Sequence, residues 1–195
     1  MKTVQTLPED YGEIYAIDLQ KDKKKAILIN GLAILIAVMV AVPAAFIKPV
    51  GALFDMSHGW GAYFLRFGVM MVASIAYLVL HELVHGIAMK LCGTKKVRYG
   101  FTGLYAFAGS DDYYGKKSYI FIALAPVVLW GIVLAVICCL VPDEWFWVAY
   151  IVQITNISGA AGDLFVTVRF SRMPADILVR DYGVSMRVYT KKKGE

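Results

Sequence analysis

Four apolar runs, at 26–47, 67–89, 119–141 and 146–168, alternate with polar segments rich in glycine, proline and charge. The first run is interrupted only by Asn30, Gly31 and Pro43. At ~1.5 Å of rise per residue, each run is long enough to cross a hydrocarbon core of ~30 Å as a helix. The pattern predicts an all-α integral membrane protein of four transmembrane helices. Residues 26–168 form the membrane domain, 1–25 a polar N-terminal tail and 169–195 a basic C-terminal tail. The 92–118 loop leaves room for a short β-hairpin. Within it, 97–107 reads Val-Arg-Tyr-Gly-Phe-Thr-Gly-Leu-Tyr-Ala-Phe, aromatic and strand-forming residues punctuated by glycine.

Charge orients this bundle. Lys21, Lys23, Lys24 and Lys25 precede the first run; Lys95, Lys96, Arg98, Lys116 and Lys117 lie between the second and third; Lys191, Lys192 and Lys193 close the chain. Four spans put these three segments on one side, and the positive-inside rule makes that side cytoplasmic, with both termini. A multi-pass protein of a bacterial cell membrane is expected. The formal charge of +5 could suggest nucleic acid, but the cations flank apolar runs and the mean hydropathy is +0.61, so a nucleic-acid role is excluded and the lipid bilayer is the expected surrounding. Cys92, Cys138 and Cys139 have no C-x-x-C spacing and read as buried small hydrophobes.

The second run contains His81-Glu82-Leu83-Val84-His85. On a helix, residues four apart share a face, so His81 and His85 can offer two nitrogens to one zinc ion, with Glu82 beside the open position. A catalytic zinc site with an open water position needs a third protein ligand. His58 and Glu144 fall on the opposite side by this topology, and Glu195 is terminal. Asp163 alone among the aspartates lies inside a predicted span, at roughly 9 Å depth against roughly 7 to 14 Å for the two histidines. Ionisable residues within a membrane are functional candidates. Around it, Asn156-Ile157-Ser158-Gly159-Ala160-Ala161-Gly162-Asp163 supplies small residues for close helix approach. Asn156, seven residues before Asp163, is a candidate substrate or oxyanion contact, or else a polar tie between helices.

These residues resemble the putative zincin peptidase family, DUF3267, and more broadly the site-2-protease class of intramembrane metalloproteases. The likeness rests on the pentad, the Asn156 to Asp163 segment, Leu124-Ala125-Pro126 between them and Asp181-Tyr182-Gly183 near the end. It implies zinc held by His81, His85 and Asp163, with Glu82 as catalytic base. Unlike typical site-2 proteases, this chain has Gly162 before Asp163, Leu164 after it and no proline in that segment. The expected activity is zinc-dependent hydrolysis of peptide bonds in transmembrane or membrane-proximal segments, the partner being a membrane protein or peptide substrate. Such a substrate must unwind, and the 97–107 segment would pair with it by β-addition or else anchor an interfacial loop. The alternative is a non-catalytic metal-binding membrane scaffold or regulatory partner.

Overall fold

The computed structural model describes residues 3–103 and 105–192; Leu104 of the 97–107 segment, and Lys193 and Glu195 of the C-terminal segment, lie outside the described residues. In order, the elements are β1 (Thr3–Val4), β2 (Tyr11–Asp18), α1 (Lys23–Ile47), a 3-10 turn (Val50–Phe54), α2 (Gly59–Leu91), β3 (Arg98–Phe101), β4 (Ala106–Gly109), β5 (Tyr113–Gly115), α3 (Lys116–Leu140), α4 (Asp143–Gly159), α5 (Ala161–Ser171), β6 (Leu178–Asp181) and β7 (Ser185–Lys191). The chain is mostly helical. Among the described residues, four helical stretches are long and apolar enough to cross a membrane: α1, α2, α3 and the α4–α5 stretch Asp143–Ser171.

Two differences from the sequence reading matter. The segments expected as tails carry strands, so the chain is not all-α. An antiparallel sheet of order β1-β5-β6-β7-β2 joins both ends of the chain to the segment before α3. The alternating Met186, Arg187, Val188 of β7, buried, exposed and buried in turn, is the period of two that a half-covered strand requires. The other difference is in the fourth span, which breaks at Ala160. There the Ser158 hydroxyl donates back to the Ile154 carbonyl beside Gly159, a combination that bends helices. The hairpin expected in the 92–118 loop is present as β3 and β4, paired from Arg98↔Gly109 to Phe101↔Ala106.

The chain divides into two compact units. One comprises residues 1–29, 82–126 and 162–195. Its core gathers Ile17, Met89, Tyr114, Tyr119, Ile122, Phe170, Val179 and Val188, from strands and helix ends alike. The other comprises 30–81 and 127–161 and is wholly helical, with small cores around Trp147 and Val148 and around Tyr77, Leu134 and Val152. It exposes Ile34, Val38, Val72, Ile75, Ile132 and Val136. So many bare aliphatic side chains are at odds with a water-facing surface and suit hydrocarbon surroundings.

Candidate metal centre

Helix α2 carries His81, Glu82 and His85 without a break, so the two histidines project from one face, one turn apart. Asp163 occupies the first turn of α5, because the break at Ala160 starts a new helix just before it. A carboxylate there meets the positive end of the helix dipole. His85 Nε2 lies 3.5 Å from Asp163 Oδ2. One ligand atom from each of His81, His85 and Asp163 falls within 4.8 Å of the others.

Each histidine has its second nitrogen committed elsewhere. His85 Nδ1–H donates to the Ile122 carbonyl at 3.0 Å. His81 Nδ1 is 2.7 Å from the Tyr77 hydroxyl, which donates its own proton to Asn156 Oδ1 at 2.9 Å. A hydroxyl has one proton, so Tyr77 accepts from His81 Nδ1–H. In both rings Nδ1 carries a proton, which directs any metal to Nε2.

This donor set fits zinc. Bonds of ~2.0–2.2 Å in a tetrahedron place neighbouring ligand atoms ~3.3–3.5 Å apart. The 3.5 Å between His85 Nε2 and Asp163 Oδ2 matches such an edge. Two imidazoles and one carboxylate also leave a fourth position open, as catalytic sites do. Glu82, half-buried, is one residue round the helix from His81.

The structure thus brings together His81, His85 and Asp163 from the residues singled out in the sequence. Asn156 is placed behind His81 with its amide fully engaged. It is completely buried, its Oδ1 accepts from Tyr77, and its Nδ2 donates to the Val127 carbonyl at 3.3 Å and to Gln153 Oε1 at 3.2 Å. Both of its amide N–H groups are thus used within the protein, the arrangement of a polar tie between helices. Two further residues, Tyr77 and Ile122, escaped the sequence reading, and a third, Asp181, belongs to a segment it had singled out. Tyr77 lies four residues before His81, a spacing that was visible. Ile122 acts through its backbone and leaves no signature in residue type. Asp181, in the Asp-Tyr-Gly turn, is buried and accepts from the Tyr119 hydroxyl at 2.7 Å and the Gly183 amide at 2.7 Å. Burial pushes its carboxyl up to about 6 against the pull of those hydrogen bonds.

The hairpin is anchored close to the pentad. The Tyr99 hydroxyl rests on Gly86, the residue after His85, where there is no room for a Cβ. At the same end of the hairpin, Gly109 packs against the Tyr182 and Gly183 backbone, and Ser110 N–H donates to the Asp181 carbonyl at 2.8 Å.

Comparison with known proteins supports a peptidase lineage. The chain is 30% identical over 128 residues to a protein of Pyrococcus woesei described as an uncharacterized 24.7 kDa protein in gap 5'region, covering 60% of this chain and 53% of that one. It thus spans about half the length of this relative. No solved structure matches. The sequence profile of a family described as putative zincin peptidase, DUF3267, matches residues 74–178, more than half of the chain and all of the positions discussed around the metal site from Tyr77 to Asp163. The chain belongs to this DUF3267 zincin peptidase family.

Proposed function

We propose that this protein is an intramembrane zinc metalloendopeptidase, akin to site-2 proteases, that cuts transmembrane or membrane-proximal segments near the cytoplasmic face. The observation that carries the reading is that one ligand atom from each of His81, His85 and Asp163 converges within 4.8 Å while the Nδ1 of each histidine is held from behind.

His81, His85 and Asp163 would hold the zinc, which when bound would supply Lewis acidity and lower the pKa of a water. Glu82 accepts a proton from the attacking water and returns it to the leaving amine. Asn156 and Tyr77 keep His81 in the tautomer the metal needs. The β3–β4 hairpin, anchored at Gly86, offers strand edges on which an unwound substrate segment can pair. The lysine clusters beside the helix ends support a cytoplasmic location for both termini.

The test is metal analysis and cleavage of transmembrane peptides in detergent by wild type and by Glu82→Gln. Wild type is expected to carry about one zinc per chain, and Glu82→Gln to keep that zinc and lose cleavage. Full activity in Glu82→Gln would overturn the enzymatic reading.

A further inference from the structure

Helix α3 runs from Lys116 to Leu140 with Pro126 in its interior. In a regular α-helix the N–H of residue 126 would bond the carbonyl of residue 122, but proline has no N–H and its ring crowds that carbonyl off the axis. The Ile122 carbonyl is therefore left without its helical donor. It is this carbonyl that accepts His85 Nδ1–H at 3.0 Å.

We infer that Pro126 is a positioning residue for His85: by withholding its own N–H it frees the Ile122 carbonyl to orient the imidazole and fix its tautomer. Pro126 and Ile122 are both under 2% exposed and His85 is 8% exposed. Water is thus a poor substitute for either partner in this interior. In α3 the donor that meets the freed carbonyl is a metal-ligand candidate, so the proline becomes part of the site.

The inference rests on His85 being a metal ligand, and the test separates the two ideas. Full-length Pro126→Ala regains an N–H that competes for the Ile122 carbonyl. Alanine is the best helix former, so α3 itself is not endangered. Zinc affinity is read by competition with a chelator, and cobalt(II) substituted for zinc reports ligand geometry through its visible absorption. Pro126→Ala is expected to bind about 10-fold more weakly, as loss of an outer hydrogen bond to a ligand does, with an altered cobalt spectrum and unchanged helix content. In metal-free protein, proton NMR should show a slowly exchanging His85 Nδ1–H in wild type that exchanges faster in Pro126→Ala. Wild-type affinity, spectrum and exchange in Pro126→Ala would overturn the role of Pro126 while leaving the metal site intact. Absence of zinc or cobalt binding in wild type would instead overturn the metal reading, and this inference with it.

Discussion

His81 and His85 are one turn apart on the same helix, yet the regions that hold them are built differently. His81 closes the wholly helical unit, where its support is a chain of side chains, Tyr77 and then Asn156, tied to Gln153. His85 belongs to the sheet-bearing unit, where its support is a backbone carbonyl on a helix whose end is packed into a broad core. Side-chain support can be deleted by one substitution. Backbone support can only be perturbed through what surrounds it. The comparison teaches that apolar helices can orient a ligand in two ways, through a chain of side chains or, where proline withholds a donor, through a backbone carbonyl.

The largest effect should come from the residue both histidines need. Asp163→Ala removes the carboxylate that closes the donor set, and is expected to abolish stoichiometric zinc, a loss beyond the ~10–100-fold typical of outer partners. Retention of one zinc per chain would mean that the two histidines find their third ligand elsewhere. Next comes a property peculiar to the sheet-bearing unit, its buried carboxyl. Asp181, pushed up to about 6 by burial, is above its unfolded value of ~3.9. Its neutral form is favoured in the fold, so the stability it contributes is full below about pH 4 and lost as pH rises through about 6, up to ~3 kcal/mol. Asp181→Asn should flatten that dependence, wild type losing ground to the variant between those pH values in denaturant titrations. A constant gap between the two would sink this account of Asp181.

The sequence displays most of what metal binding needs and little of what supports it. Run length and hydropathy reveal the four helices because an apolar stretch long enough to span is a local property. The pentad is legible for the same reason, its spacing matching one helical turn, and Asp163 stood out as the one aspartate inside an apolar run. The sheet was hidden because its pairing is non-local. Tyr11 of β2 lies opposite Lys191 of β7, and β1 and β5 hold only 2 and 3 residues. No window of sequence shows that such short segments will meet. The break at Ala160 blurred in the same way, since small residues serve both helix packing and helix bending. It also undid the shared helix face assumed for Asn156 and Asp163, which sit in successive helices.

The finest expected effect separates a relay from a set of independent contacts. Tyr77→Phe keeps the ring but deletes the hydroxyl between His81 and Asn156, and should weaken zinc binding about 10- to 100-fold, or ~1.4–2.7 kcal/mol. Asn156→Leu removes the acceptor that orients that hydroxyl and should cost less, about 10-fold at most, because Tyr77 can still accept from His81. If Asn156 acts only through Tyr77, the double variant should bind zinc no more weakly than Tyr77→Phe alone. Additive losses would mean that Asn156 supports the site by a second route, independent of the hydroxyl. Because Asn156 touches no free space, cleavage by Asn156→Leu at saturating zinc should return close to the wild-type rate. A rate that stays depressed at full metal occupancy would restore Asn156 as a group that meets the substrate, and would show that the helical unit contributes more to the site than a properly held ligand.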